Sequence, residues 1–186
     1  MSYSHLLFDL DGTLTDPGEG IVNSVMHALR SYGIEYDDRE DLKKFIGPPL
    51  HESFIRFFNF EEKKAYEAVE RFREYFSEQG IYQNRVFDGI YDLLVQLIAN
   101  GKTLILATSK PSVFAHRVLE YFELDMFFDE VVGANLDGSM TDKTEIIARV
   151  LSLYPDIDPS SFLMIGDREH DIIGASNQGI DSVWVK

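Results

Sequence analysis

The sequence contains no cysteine. Disulfides and thiolate chemistry are therefore excluded, and any metal must be held by oxygen or histidine. Positive charge is scarce: 17 Lys and Arg stand against 32 Asp and Glu, for a net charge of −15 at pH 7. Nucleic-acid binding needs a basic surface that displaces counterions, so this balance argues against it. It equally disfavours anionic membranes. No apolar run is long enough to span a bilayer. The opening Met1-Ser2-Tyr3-Ser4-His5 lacks a basic stretch followed by an apolar core, so no signal peptide is expected and a cytoplasmic location is the default. There is no internal repeat, no low-complexity tract and no signal for an oligomeric state. What is present fits a globular chain of 186 residues, 45% hydrophobic and 26% charged, enough for one ordinary domain plus a small insert.

The most informative stretch is Phe8-Asp9-Leu10-Asp11-Gly12-Thr13-Leu14-Thr15. The apolar run Leu6-Leu7-Phe8 reads as a short buried strand, ended at Gly12. Asp9 and Asp11 then stand at its C-terminal tip, where open α/β sheets bind ligands. Two nearby carboxylates repel, and a hard divalent cation such as Mg²⁺ resolves that conflict through oxygen ligands. A carboxylate is also a nucleophile toward phosphorus, so one Asp can attack while the other transfers a proton. Asp-Gly is equally a common turn pair.

Further along, Ile21, Val22, Val25, Met26, Leu29 and Tyr32 fall at helical spacing after Asp16-Pro17. A short helix is expected over 38–46, stopped by Gly47-Pro48-Pro49, a third over 50–58 and a fourth over 61–77. In the fourth, Phe72, Tyr75 and Phe76 make an aromatic stripe that reads as core. Residues 17–80 thus form a helical insert without a convincing strand. From 87 onward helices expected at 89–99, 111–122, 144–153 and 171–177 alternate with strands at 103–107, 128–132, 162–165 and 182–185. That alternation implies right-handed crossovers and a doubly wound, mostly parallel α/β sheet. The expected division is a core of 1–16 and 81–186 with a helical cap of 17–80.

Other polar residues sit at strand ends. Thr108 closes the second strand, where a hydroxyl either donates to a phosphate oxygen or caps the next helix. Lys143 lies just before a helix; in isolation it is an ordinary surface charge. Gly166-Asp167-Arg168-Glu169-His170-Asp171 follows Phe162-Leu163-Met164-Ile165, placing two acids four apart at another strand tip. An acidic chain that handles an anion needs a cation and a few placed basic residues to offset its own field.

Asp9-Leu10-Asp11-Gly12-Thr13-Leu14 resembles the first motif of the haloacid dehalogenase superfamily, DxDGT[LV]. Thr108 resembles its second motif, Lys143 its third, and Gly166-Asp167 to Asp171 its fourth, GDxxxD. The four come in the family's order and cover essentially the whole chain. The resemblance implies Asp9 as nucleophile, Asp11 as general acid/base, and Thr108 and Lys143 as partners of the phosphoryl oxygens. It implies Mg²⁺ held by Asp9, the backbone carbonyl of Asp11, and Asp167, with Asp171 binding directly or through water. A helical cap inserted after the first motif is similar to the subgroup of phosphoglycolate phosphatases, 5′-nucleotidases, pyrophosphatases and β-phosphoglucomutases. The segments around Thr108, Asp137 and Asp167 are most similar to the 5′-nucleotidase-like branch, with phosphoglycolate phosphatase close behind. The implied activity is hydrolysis of a small phosphorylated metabolite through an aspartyl-phosphate, with hinges near 15–16 and 84–85 closing the cap. Phe45-Ile46-Gly47-Pro48-Pro49-Leu50 resembles the subgroup's cap loop, and Lys43, Lys44, His51 and Arg56 are cap residues to test against the leaving group. A β-phosphoglucomutase-like transferase is the nearest alternative; a non-enzymatic phospho-acceptor is a remoter one. Members of the superfamily commonly continue past the final strand with a further helix or strand, whereas this sequence stops at Trp184-Val185-Lys186.

Overall fold

A computed structural model describes residues 3–186, so Met1 and Ser2 of the expected core segment lie outside it. Residues up to Thr15 and from Val86 onward form one compact unit, and Asp16–Arg85 another.

The first unit is built on a five-stranded sheet in the order β5-β4-β1-β6-β7. Its strands are β1 (His5–Phe8), β4 (Thr103–Pro111), β5 (Glu130–Ala134), β6 (Phe162–Gly166) and β7 (Asp181–Trp184). Every pairing is parallel. β1 is central: Phe8 stands opposite Leu106 on one side and Ile165 on the other. That position explains why its residues are apolar without alternation, since a central parallel strand is buried on both faces. Leu7, Ile105, Ala107 and Met164 point to one face, where they pack with Ile146, Ile147 and Val150 of α6 (Lys143–Leu153) and Ala175 of α7 (Glu169–Asn177). Each of the larger side chains here (Leu, Ile, Val, Met) contributes about 1.5–3 kcal/mol by leaving water. The remaining helices of this unit are α4 (Ile90–Ala99) and α5 (Ser112–Tyr121).

The second unit holds α1 (Gly18–Arg30), a 3₁₀ turn at Asp41–Phe45, α2 (Leu50–Phe58), α3 (Glu62–Glu78) and a 3₁₀ turn at Gly80–Tyr82. Its core is aromatic: Phe45, Phe54, Phe60, Phe72 and Phe76 are buried, with Phe45 and Phe54 meeting edge-on at 5.0 Å. Of the expected stripe, Phe72 and Phe76 are core, their rings stacked at 5.3 Å, whereas Tyr75 is half-buried and accepts from Gln83 Nε2 at 3.1 Å. Two short strands, β2 (Thr15–Asp16) and β3 (Arg85–Val86), pair where the chain leaves and re-enters the sheet unit.

Four expectations shift. The helix expected over 38–46 is only the five-residue 3₁₀ turn, because too few residues precede Gly47-Pro48-Pro49 for a packed α-helix. The helical unit ends at 85, not 80, because the turn Gly80–Tyr82 belongs with α1: a Cβ on Gly20 would lie 1.9 Å from the Gly80 carbonyl. The strand expected over 128–132 begins at Glu130, since Phe128 is still bonded back to Asp125 in a 3₁₀ turn. Pro111, expected in the first turn of a helix, instead ends β4 opposite Ala134. No helix among the described residues is long and apolar enough to cross a membrane.

Candidate active site

The polar residues singled out in the sequence gather at the C-terminal edge of the sheet, as strand order dictates. Asp9 is the first residue past β1, and its N–H donates to Ile165 O at 2.9 Å. The chain then turns sharply: the Leu10 carbonyl accepts from the N–H groups of Thr13, Leu14 and Thr15. Gly12 makes this turn with φ +92°, where a side chain is strained. Space forbids one as well, since a Cβ there would sit 2.3 Å from Asp167 Oδ2. The close approach of the two loops brings Asp167 toward Asp9.

Lys143, at the start of α6, is almost wholly buried. Three oxygens surround its Nζ: Asp9 Oδ1 at 2.8 Å, Ala107 O at 2.9 Å and Asp171 Oδ1 at 2.8 Å. The first two accept hydrogen bonds from the ammonium and the third meets it as an ion pair. Burial alone would push the ammonium down, but the pull of Asp9 and Asp171 outweighs it and holds Lys143 above its ordinary value. Burial raises the carboxyl of Asp171; Lys143 opposes that shift and the charge of Asp9 adds to it. Asp167 is raised in the same way, by burial first, with Arg168 opposing and the Asp9 and Asp171 charges adding.

Asp9, Asp167 and Asp171 offer carboxylate oxygens that all lie within 4.8 Å of one another. Three carboxylates face one buried lysine and the half-exposed Arg168, which pairs with Asp167 at 3.1 Å, so negative charge remains in excess. Asp167 Oδ1 is buried with no hydrogen-bond partner, the kind of orphan that calls for a ligand. Asp171 Oδ1 also makes no hydrogen bond, and an all-oxygen donor set with two such buried oxygens fits a hard cation such as Mg²⁺.

Asp11 is not in that carboxylate cluster. Its side chain accepts from Lys110 Nζ at both oxygens, 3.0 and 2.7 Å. Thr108 lies inside β4 and does not cap α5, whose N-cap is Pro111. Its Oγ1 accepts from the Lys110 N–H at 3.2 Å, and the hydroxyl proton can still be donated. Of the residues of the helical unit singled out in the sequence, Lys43 pairs with Glu40 at 2.8 Å, Lys44 with Asp41, His51 stacks on Tyr66, and Arg56 lies over Phe57.

Residues 6–185 match the family model for haloacid dehalogenase-like hydrolases. The chain belongs to that family. A 5′-nucleotidase of Pseudomonas aeruginosa is 47% identical over 185 residues, covering 100% of this chain and 83% of that protein. The tyrosine-protein kinase PtkA of Mycobacterium tuberculosis is 39% identical over 180 residues, 97% of this chain but 61% of that protein. The crystal structure of a predicted phosphatase from Clostridium acetobutylicum superimposes with a TM-score of 0.93 at 43% identity, covering 100% of this chain and 86% of that one. The chain is thus a haloacid dehalogenase-like hydrolase of the phosphatase kind.

Two residues of this hydrolase escaped the motif pattern. Lys110 meets Asp11; the one signal for it is its place two residues beyond Thr108. Trp184, the single tryptophan, donates its indole N–H to the Asp167 carbonyl at 2.9 Å and so steadies that loop. Nothing local in the sequence marks it.

Proposed function

We propose that the protein hydrolyses a small phosphate monoester through a phosphoryl group carried on Asp9, with a 5′-nucleotide the first substrate to try and phosphoglycolate the next. The observation that carries this reading is Asp9 itself. Its carboxylate stands at the tip of the central strand, 2.8 Å from a buried ammonium and beside two further acids.

In the first transfer an Asp9 oxygen attacks phosphorus, the bond to the ester oxygen breaks, and Asp11 gives that oxygen a proton. In the second, Asp11 takes a proton from water, the water oxygen attacks phosphorus, and the bond to Asp9 breaks to release phosphate. Lys143 offsets charge on Asp9 and on the transferring oxygens, and the Thr108 hydroxyl donates to one of them; preorganised charge of this kind is the main source of rate in such reactions. Asp9, the Asp11 carbonyl and Asp167 would hold Mg²⁺, with Asp171 direct or through water, and the ion when bound supplies further positive charge to the phosphoryl oxygens. By the same family resemblance, the helical unit 16–85 is read as the cap.

The 5′-nucleotide preference rests on the 47% identical relative of that name. The similarity to a protein named a tyrosine kinase supports a second reading, in which a hydroxyl other than water takes the phosphoryl group. Phosphate release from p-nitrophenyl phosphate, followed by a panel of 5′-nucleotides, phosphoglycolate and sugar phosphates, tests the proposal. Mg²⁺-dependent release is expected, with one panel member preferred. Full turnover by Asp9→Asn would overturn the nucleophile, and undiminished activity in EDTA would overturn the metal. Exchange of phosphate between esters without net release would favour the second reading.

A further inference from the structure

β4 and β5 fall out of step at the sheet's C-terminal edge. Thr108 stands opposite Gly133 and Pro111 opposite Ala134, so Ser109 and Lys110 bulge out of the ladder. A bulge re-aims the side chains it carries. Two contacts fix this one. The Thr108 hydroxyl accepts the Lys110 N–H at 3.2 Å. The Lys110 carbonyl comes so close to Gly133 that a Cβ there would be 2.6 Å from it.

The side chain that results is 7% exposed and places Nζ against both oxygens of Asp11, whose own side chain is 22% exposed. Asp11 is equally constrained through its backbone: it precedes Gly12, whose N–H donates to Thr15 O at 2.7 Å. A carboxylate with two rotatable side-chain bonds is thus pinned by a two-oxygen contact between two fixed loops. A group that must deliver a proton depends on such pinning, because a misplacement of about 1 Å can cost roughly 10²-fold in rate.

We propose that Lys110 is a positioning residue for Asp11: through the β4 bulge it fixes the direction in which the Asp11 carboxylate meets the leaving oxygen. The inference rests on the reading of Asp11 as the acid/base group. It separates Lys110 from Lys143, which meets Asp9 directly.

The test measures kcat/KM, which reports the first phosphoryl transfer, on two substrates. One is p-nitrophenyl phosphate, whose leaving group departs with little help from a proton. The other is an alkyl phosphate from the panel above, whose leaving oxygen needs one. Lys110→Met should lower the alkyl value at least about tenfold more than the aryl value, as part of the roughly 10²–10⁴-fold that a general acid contributes. Asp11→Asn should show the same bias, and the double variant should be no worse than Asp11→Asn alone. Lys110→Arg should recover most of the alkyl rate. Gly133→Ala, which crowds the bulge without touching either side chain, should reproduce the bias. Equal loss on both substrates by Lys110→Met, or a loss that adds to that of Asp11→Asn, overturns the inference, since Lys110 would then act on the phosphoryl group or on folding alone. Absence of bias in Asp11→Asn itself overturns the acid/base reading and the inference together. Where thermal melting shows Lys110→Met unfolded, Lys110→Gln takes its place under the same criteria.

Discussion

Two lysines reach the loop after β1, and they are held in different ways. Lys143 begins a helix, is 2% exposed and faces two carboxylates and a carbonyl. Its backbone is clamped too: a Cβ on Gly174 of α7 would come within 3.0 Å of the Lys143 backbone carbonyl carbon and Cβ. Lys110 sits on a bulge and meets the Asp11 carboxylate, which water also reaches. A helix-borne cation under a double negative load is part of the fold's electrostatic balance, because its loss leaves Asp9 and Asp171 facing each other in a dry site. A bulge-borne cation on a partly wet carboxylate sets direction and carries little of the stability.

The sharpest way to break this contrast is to delete each charge. Lys143→Met should cost about 3–5 kcal/mol in urea unfolding, the usual result of removing one member of a buried ion pair, and should abolish phosphate release. If its unfolding midpoint matches that of the parent, the electrostatic account of Lys143 is wrong. Next in size is the response to Mg²⁺, which should stabilise the protein by about 2.7 kcal/mol when added at a hundredfold over its Kd. That gain should depend on pH. Asp167 and Asp171 are raised in the folded state, by burial first. A carboxyl raised on folding contributes stability that is complete below its unfolded value of about 3.9 and is lost as pH climbs through the folded value. The metal-free protein should therefore forfeit this contribution on going to neutral pH. The Mg²⁺-induced rise in melting temperature should accordingly be larger at neutral pH than near pH 4; a pH-independent rise would contradict it.

Asp9→Asn sharpens the comparison from the other side. It should end turnover yet leave the melting temperature in EDTA unchanged or higher, since it removes one of three mutually repelling carboxylates and leaves Lys143 paired with Asp171. A large drop in that temperature would mean that Asp9 stabilises the fold through Lys143 more than it strains it. The smallest effect belongs to the exposed pair Arg85–Asp16, 2.9 Å apart. Arg85→Ala should cost at most about 0.5 kcal/mol, which makes it the control for a charge removed where water does the screening.

Much of this arrangement could be read from the chain. The runs around Leu7, Leu106 and Met164 are uninterruptedly apolar because they are the three central strands, and each is followed at its tip by a residue of the site. Asp9 and Asp167 stand one residue past β1 and β6 and are legible from the strand pattern, whereas Lys143 and Asp171 lie in α6 and α7 and are legible only through the family resemblance. Lys110 is legible in neither way, because its direction depends on the register of β4 against β5, and nothing local in the run Thr108-Ser109-Lys110-Pro111 encodes Gly133 twenty-odd residues away. The 3₁₀ turn at Asp41–Phe45 is not legible either: the break at Gly47-Pro48-Pro49 marks where a helix over 38–46 must stop but says nothing of whether it is α or 3₁₀.

The central place of β1 has a consequence for how the protein comes into being. His5–Phe8 leaves the ribosome before its two neighbours, β4 and β6, and Phe8 waits for Leu106 and then Ile165. At ordinary rates of synthesis the wait for the second is on the order of ten seconds or more. Through that interval a largely apolar strand has one or both hydrogen-bonding edges open, a sticky intermediate that invites holding by a chaperone. The helical unit, whose residues are contiguous, can meanwhile finish folding on its own. Nascent chains stalled before residue 162 should therefore carry a folded insert and no catalytic centre at all.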